Sequence, residues 1–307
     1  MVEATVVRVR ARPASGRRRR REWLWALVFL GPNLLLCLGF MFFPVLFGLG
    51  ASFFNWNMIE PPKFIGLGNY SHFLFTDPLT PKVVGNSAYF VAGALPVTVL
   101  LPLGLAVLLN APLRGMGWFR SLYFLPLVTS AVVTATIFKW AFAKQFGAFN
   151  EVVGLFGVSP QDWLFNQRLV MPSLILTAIW NRVPLNTIFY LAALQSVPRA
   201  LYEAARIDGA GAWAVFRHIV WPLVTPTTFF VLIVTAINLL LGTFDMVSVM
   251  TQGGPLESSN VMVYNIWRTA FVYFQMGYAS AMAYVLFVVV LSFTAGLWAL
   301  QRYWVHY

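Results

Sequence analysis

The residues best placed for chemistry lie in a short polar stretch, residues 195–222, between two long apolar segments. Glu203 and Asp208 are acidic side chains able to pair with basic groups on another surface. Ala204 and Ala205 lie between them, and small residues let a second surface approach the helix backbone closely. From the residues alone, this combination fits a docking surface for a partner protein and, equally well, a surface helix that joins two spans with Glu203 and Asp208 solvated.

Helix signals frame the same stretch. Ser196 and Pro198 predict a helix start, because proline is tolerated only in the first turn. Positions 201, 204, 205 and 208 follow at helical spacing and so share one face. Gly209 and Gly211 then permit a sharp turn. We expect a second short helix, Ala212–His218, before Pro222 and Pro226 mark the entry to the next apolar segment.

Catalytic, metal-binding and nucleotide-binding patterns are absent from the sequence. His72, His218 and His306 are scattered without metal-ligand spacing, and the single cysteine, Cys37, cannot form a disulfide within the chain. There is no GxxxxGK[ST] loop to hold phosphates. We therefore expect no enzyme activity and no cofactor or metal in this chain.

A second candidate region surrounds one charge inside an apolar segment. Arg182, beside Trp180 and Asn181, interrupts the run from about residue 170 to 194. An ionisable group in a membrane span is costly and usually faces protein or water. Arg182 is interpreted either as lining a solute path or as pairing with another helix or a helix terminus.

Two further polar residues are weaker path candidates. Asn238 could line the path or simply form a hydrogen bond between helices. Asp245 follows the same apolar segment and could lie at the mouth of the path or hold an external loop in place.

The high hydrophobic content and low charge of the chain are typical of a membrane protein. The 307-residue chain is 59% hydrophobic and only 10% charged, with a mean hydropathy of +0.73. Soluble domains carry about 25% charged residues. Five charge-free gaps of span length, and a sixth apolar run interrupted by Arg182, predict an all-α protein with six transmembrane helices. They lie near residues 24–52, 84–109, 119–142, 171–194, 221–244 and 278–301.

Positive charge predicts the orientation of these helices. With the N-terminus inside, the cytoplasmic segments hold fourteen Arg residues, and the opposite side holds five Lys or Arg. Both termini and the 195–222 stretch are then cytoplasmic. The external loops, near 53–83, 143–170 and 245–277, are too short for separate domains.

The N-terminus is basic, with five consecutive Arg at 17–21. We interpret residues 1–22 as a disordered cytoplasmic tail that sets topology and favours anionic headgroups, rather than as a nucleic-acid site. The following apolar run is too long for a cleaved signal peptide. Residues 23–307 are expected to form one transmembrane domain.

The 195–222 stretch closely resembles the EAA loop of binding-protein-dependent ABC importer permeases. The matching pattern is EAA-x-x-DGA-x5-F-x-x-I-x-x-P-x-x-x-P. Its positions here are Glu203, Ala204, Ala205, Asp208, Gly209, Ala210, Phe216, Ile219, Pro222 and Pro226.

Other segments are similar to the carbohydrate-uptake permeases of the maltose and glycerol-3-phosphate branch. They include FIGLGNY (64–70), FRSLYFLP (119–126), FGAFN (146–150), LAALQSVP (191–198), TQGGP (251–255) and GYASA (277–281). Two positions depart mildly from the pattern, Ala193 for a frequent Gly and Trp221 for a common Leu.

The resemblance implies a type I ABC importer permease fold in a bacterial inner membrane. It implies that the EAA loop is a coupling helix, docked in a cleft of an ATP-binding subunit, and that ATP and Mg²⁺ bind that subunit. The expected partners are a second homologous permease, two ATP-binding subunits and an extracytoplasmic solute-binding protein. The expected solute is a sugar or sugar-like molecule, such as an oligosaccharide or glycerol-3-phosphate.

Two other classes remain open from the residues alone. An ion-coupled secondary transporter or channel needs no ATPase, but such proteins usually carry more acidic residues within their spans. A membrane-embedded enzyme is disfavoured because no catalytic constellation is present.

Overall fold

The computed structural model describes residues 16–111 and 114–305, with side chains from residue 23 onward. These residues belong to two compact units, Met1–Ala51 and Ser52–Tyr307. Of the predicted basic tail, residues 1–15 lie outside the described residues, and His306 does as well.

The described part of the first unit, residues 16–51, is a single long helix, which includes residues 16–22 of the predicted disordered tail. It comprises α1 (Gly16–Leu36), a π-helical turn (Cys37–Phe42) and α2 (Phe43–Ala51) in direct succession. Trp23–Ala51 has a mean hydropathy of 2.3, enough in length and composition to cross a membrane. The predicted helix near 24–52 is confirmed.

The second unit is also mostly helical. It opens with a two-stranded antiparallel sheet in which Phe54 pairs with Phe64. The strands and helices of its first half are β1 (Phe54–Asn55), β2 (Lys63–Phe64), α3 (Gly68–Ser71), α4 (Thr80–Leu109), α5 (Met116–Tyr123), α6 (Ala131–Ala141) and α7 (Ala148–Gly154). Those of its second half are α8 (Val170–Ser196), α9 (Arg199–Ile207), α10 (Ala212–Val215), α11 (Trp221–Leu241), α12 (Phe244–Met250), α13 (Met262–Phe271) and α14 (Met276–Gln301).

Among the described residues, four continuous helices are long and apolar enough to span a membrane. They are Trp23–Ala51, Thr80–Leu109, Ala212–Leu241 and Met276–Gln301. The structure thus shows four such helices, or five if one bent pair is counted as a span, where the sequence predicted six.

The predicted helix at 119–142 is wrong as a continuous element. The chain bends by 99° between Met116–Val128 and Ala131–Ala141. Pro126 opens a 3-10 turn, and the Ser130 side chain then accepts the backbone N–H of Val133 as the N-cap of α6. A charge-free gap in the sequence does not reveal such a break.

The predicted helix at 171–194 is present as α8 but is less apolar than the other spans, because Asn181, Arg182 and Asn186 lie within it. Its 27 residues extend about 40 Å. It packs along α4 and α11 and buries Leu174, Tyr190 and Leu194 among others. It is the central helix of the second unit.

A buried asparagine ties the three packed helices together. The Asn186 amide on α8 donates to the Thr98 carbonyl on α4 at 2.7 Å and to the Thr235 hydroxyl on α11 at 3.0 Å. Polar groups inside a bundle must be satisfied by neighbouring helices. This bridge lies near the middle of the bundle.

Three connecting segments, which we call the pinned loops, are fixed by asparagine side chains. They are residues 52–79, 142–169 and 251–261. Asn69 donates to the carbonyls of Ser52 and Phe54 at 2.8 and 2.9 Å. On α4, Asn86 donates to the Glu257 and Asn260 carbonyls at 2.7 and 3.0 Å.

Asn150 holds the second pinned loop. Its amide donates to the carbonyls of Ala143, Lys144 and Gln161, and its oxygen accepts the N–H groups of Gln161 and Trp163. A Cβ on Gly147 would lie 2.3 Å from the Ala143 carbonyl oxygen, so glycine is required there.

The predicted external loop at 245–277 is structured. It contains α12 and α13, and α13 packs against α14. Glu257 forms a bidentate pair with Arg268, with Oε1–Nη1 and Oε2–Nη2 distances of 3.0 and 2.7 Å. The segment therefore has a fixed conformation.

Candidate functional site

The polar stretch forms a helix and turn that we call the α9–α10 segment, residues 197–216. Ser196 is the last residue of α8, where its hydroxyl donates to the Ala193 carbonyl at 2.7 Å. Pro198 occupies the N-cap position of α9. Proline thus marks the helix start as predicted, whereas Ser196 closes the preceding helix.

Of the predicted face of α9, Leu201, Ala204 and Asp208 are exposed and Ala205 is buried. Ala200, Glu203, Ala204, Ile207 and Asp208 are all exposed, at helical spacing i, i+3, i+4, i+7 and i+8. We call these residues the exposed stripe.

Ala205 is only 7% exposed and faces the interior. The physical reason is that Tyr202, three positions earlier, packs against the core and orients the helix.

Ile207 is the residue that sequence reasoning missed. Its side chain is 86% exposed in the middle of an otherwise polar and small stripe. An isolated exposed apolar residue needs no explanation. Here, however, Ile207 lies between the Glu203 and Asp208 positions, so the stripe offers one apolar contact flanked by two acidic groups.

The predicted glycine turn is confirmed at Gly209. Its φ of +71° lies in the left-handed region. Ala210 N–H donates to the Ala205 carbonyl at 2.9 Å, and Gly209 N–H to the Arg206 carbonyl at 3.2 Å. This pair of bonds is a Schellman motif, which ends a helix sharply and favours glycine.

Gly211 differs, because its φ is −71°. Any residue adopts that conformation.

The predicted second short helix, Ala212–His218, does not end at His218. α10 passes through a π-helical turn, Phe216–Val220, into α11, and Ala212–Leu241 forms one 30-residue helix. Pro222 lies within this continuous helix, just after the π-helical turn, so it does not mark a helix start.

The inner side of the segment rests on the core of three spans. Tyr202, Val215 and Phe216 pack against a buried cluster that includes Leu109 of α4, Leu194 of α8 and Val224 of α11. Burial raises the pKa of the Tyr202 phenol above its ordinary value. The segment is therefore in direct contact with residues of three spans.

The predicted path residues are only partly brought together. Asn181, Arg182 and Asn238 line one cavity of about 50 Å³, together with the hydroxyls of Thr134, Thr177 and Thr243. That volume holds one or two waters. It is far too small for a sugar, so the residues around Arg182 do not form a sugar site by themselves.

Arg182 lies half-buried at this cavity. A Cβ on Gly242 would lie 3.3 Å from its Nη2, so glycine makes room for the guanidinium. No carboxylate or carbonyl in the described part of the chain accepts a hydrogen bond from it. The prediction that Arg182 pairs with another helix finds no partner among the described residues.

The remaining path candidates lie elsewhere. Trp180 packs edge-on against Phe138, with ring centroids 5.3 Å apart, and lines a different, apolar groove. Asp245 lies in the first turn of α12 and does not line the cavity.

Asn238 bonds within its own helix, to the Val234 carbonyl at 2.8 Å. The bond between helices belongs to Asn186, which stands four residues after Arg182. That helical spacing was the signal available in the sequence.

Among the described residues, no group of three or more His, Cys, Asp or Glu side chains could hold a metal ion. The chemistry available to the two regions is therefore protein docking at the α9–α10 segment and hydrogen bonding around Arg182.

Comparison with known proteins identifies the family. Residues 84–302 match the binding-protein-dependent transport system inner membrane component family, and this range includes the whole α9–α10 segment. The chain belongs to that family. It is a membrane protein of the ABC transporter permease class, whose members are transporter subunits rather than enzymes.

Relatives align along nearly the whole chain. A probable ABC transporter permease protein of Pyrococcus horikoshii is 32% identical over 89% of this chain and 94% of its own length. The sulfoquinovosyl glycerol transport system permease protein SmoG of Agrobacterium fabrum is 32% identical over 96% and 97%. The sn-glycerol-3-phosphate transport system permease protein UgpA of the same organism is 28% identical over 91% and 95%.

A solved structure shows the same fold. A chain of a bacterial ABC transporter involved in the import of the acidic polysaccharide alginate superposes with a TM-score of 0.82 at 23% identity, covering 93% of this chain and 97% of the other. The type I ABC importer permease fold is thereby confirmed.

Proposed function

We propose that this chain is the permease subunit of an ATP-driven importer, and that it forms half of the path for a sugar or sugar-like solute. The observation that carries this proposal is the exposed stripe of α9, held by the Schellman turn and seated on the core of α4, α8 and α11. A partner protein bound to this stripe would contact a helix that packs directly against three membrane spans.

The proposed topology has six crossings with both termini cytoplasmic. Four are the continuous apolar helices, the fifth is the bent α5–α6 pair, and the sixth is α8. α8 is long enough to cross, and its polar residues face other helices or the small cavity. The excess of Arg on the side of the α9–α10 segment supports a cytoplasmic position for that segment.

Coupling is proposed to run through the six residues of the EAA pattern and Ile207. Glu203 and Asp208 would pair with basic groups of an ATP-binding subunit, while Ala204 permits close approach. Ala205 and Ala210 act from the inner side, since they carry the turn that fixes the exit angle. Closure of two ATPases would then push the segment and rock the spans between inward- and outward-open states.

The proposed solute is sugar-like because relatives are named for such cargo. Their names specify sulfoquinovosyl glycerol, sn-glycerol-3-phosphate and alginate. In this chain Asn181, Arg182 and Asn238 offer hydrogen-bond donors toward the path. Because the cavity is so small, a second homologous permease must supply the opposite wall.

The remaining proposed partners are two ATP-binding subunits, which hold ATP and Mg²⁺, and an extracytoplasmic solute-binding protein. The alginate transporter structure in complex with a pentasaccharide-bound periplasmic protein, which superposes with a TM-score of 0.81, supports the latter. A bacterial inner membrane is the expected location. These comparisons do not favour the ion-coupled alternative.

The test is mutation of the segment in the assembled transporter. Glu203→Lys and Gly209→Pro should abolish solute uptake and the stimulation of ATP hydrolysis, while the protein still inserts in the membrane. Normal uptake by both variants, or uptake by this chain without ATPase subunits, would reject the proposed coupling.

A further inference from the structure

A surface groove at the α10 end of the α9–α10 segment contains none of the residues of the exposed stripe. It has a volume of about 610 Å³ and lies between α4 and the continuous helix that starts at Ala212. We call it the α4–α11 groove. Leu100, Leu103 and Gly104 form one wall, and Trp213, Phe216 and Trp221 form the other.

The wall that α4 contributes leaves free space at Gly104. A Cβ added there would meet no atom within 4 Å, although Gly104 lies inside a helix where glycine is unfavourable. Leu100, one turn deeper, is 58% exposed. The groove thus offers an uncovered apolar channel that runs along α4.

One cation stands at the rim. Arg217 lines the groove and is exposed, and its guanidinium has no ion pair or hydrogen bond among the residues that the structure describes. Next to it, the rings of Trp213 and Phe216 stack with centroids 5.6 Å apart. An unpaired guanidinium above an apolar channel complements a molecule with an anionic head and an apolar chain.

The depth of these residues matches a membrane surface. Both walls belong to helices of 30 residues, and Gly104 and Arg217 each lie five residues from the neighbouring ends at Leu109 and Ala212. Thirty residues extend about 45 Å, the thickness of a bilayer including its headgroups. Five residues inward is about 8 Å, the boundary between headgroups and hydrocarbon.

We propose that the α4–α11 groove binds an anionic phospholipid, with its phosphate on Arg217 and an acyl chain along Leu100, Leu103 and Gly104. Trp213 and Trp221 precede and follow Arg217 by four residues each, about 6 Å along the same helix, and tryptophan side chains favour the membrane interface. Basic pockets between spans are known to bind anionic headgroups. The proposal rests on the proposed membrane crossing of both helices and is independent of coupling and solute.

The experiment measures lipid retained by the assembled transporter. The complex is equilibrated with equal amounts of phosphatidylglycerol and phosphatidylcholine and washed in detergent, and its bound lipids are counted by mass spectrometry. We expect phosphatidylglycerol to be retained in preference. Arg217→Gln should lower its retention about fivefold, the effect of one headgroup contact, while Arg217→Lys should keep most of it.

Two further variants distinguish lipid binding in the groove from general attraction of anionic lipid to cationic side chains. Arg199→Gln removes a cation from the start of α9, outside the groove, and should leave retention unchanged. Gly104→Phe fills the channel and should lower retention of both lipids. Equal losses in Arg199→Gln and Arg217→Gln would overturn the proposal, as would unchanged retention in both Arg217→Gln and Gly104→Phe.

A final arm tests the source of the anion. Inorganic phosphate at concentrations equal to the lipid should not displace phosphatidylglycerol, because phosphate lacks the chain that fills the groove. Displacement by phosphate would show a phosphate site only. Phosphatidylglycerol retained by the permease subunits alone but absent from the assembled transporter would show that a protein covers the groove instead. Either result would reject the lipid, and neither would affect the proposed import function.

Discussion

The pinned loops and the α9–α10 segment differ in where their polar side chains are directed. In the pinned loops, buried asparagines satisfy backbone carbonyls internally, as Asn69 does for Ser52 and Phe54. In the α9–α10 segment, the acidic side chains Glu203 and Asp208 point outward and are exposed.

This difference distinguishes a self-contained surface from an incomplete one. A loop that satisfies its own polar groups keeps its shape without a partner. A helix that exposes two carboxylates around Ile207, while its inner side is fixed on three spans, has one face left for another protein. The contrast predicts that mutations in the two regions separate stability from coupling.

The largest effect is expected in a pinned loop. Asn150→Ala removes the side chain that bonds three carbonyls and two N–H groups and leaves buried polar groups unpaired. Unfolding should become easier by about 3 kcal/mol. The measurement is the thermal unfolding midpoint of the purified protein. The exposed neighbour Gln145→Ala serves as the control, and an equal midpoint for the two variants would contradict the pinned-loop account.

A smaller effect is expected at the glycine turn. Gly209→Ala places a Cβ in the left-handed region, at a cost of about 1–2 kcal/mol, and should distort the end of α9. ATPase stimulation should fall several-fold while the unfolding midpoint stays near that of the wild type. Gly211→Ala, at a φ of −71°, should preserve stimulation. Equal loss in both variants would show that the turn geometry is not the cause.

Ile207 tests the exposed stripe directly. Truncation by Ile207→Ala should weaken binding of the ATP-binding subunits about fivefold, the loss of one partly buried apolar contact. Titration of those subunits against the reconstituted permease measures it. Leu223→Ala, which truncates an exposed residue of α11, is the control. If both variants bind equally well, Ile207 does not contact the partner.

The smallest effect concerns alkaline pH. Burial raises the pKa of Tyr202 in the folded segment, so the folded state favours the neutral phenol. This contribution to stability is complete below the ordinary tyrosine pKa of about 10 and is lost as the pH rises above it. The segment should loosen in that window, detected as faster proteolysis, and Tyr202→Phe should remove the effect. An unchanged pH profile in Tyr202→Phe would exclude this residue as the source.

The sequence correctly predicts helices in long stretches that contain no charged residue, such as Trp23–Ala51 and Met276–Gln301. It fails at 119–142, because a proline followed by a serine N-cap bends the chain without introducing charge. On the predicted face of α9 it misplaces Ala205 alone, which is buried on the side where Tyr202 packs against the core.

The candidate site was predictable in part for the same reasons. Gly209 was found because only its residue type suits a left-handed turn. Ile207 was missed because an apolar side chain in a helix is normally assumed to face inward. Asn186 was missed because nothing local distinguishes a bridging asparagine from Asn238, which bonds its own helix.

Site-directed cross-linking tests the central claim most directly. In a Cys37→Ser background, Glu203→Cys on the exposed stripe and Gln145→Cys on a pinned loop are each reconstituted with the partner subunits. The account predicts that Glu203→Cys forms a cross-link to an ATP-binding subunit and that Gln145→Cys does not. Absence of the Glu203→Cys product, or equal cross-linking from both positions, would contradict the assignment of α9 as the coupling element.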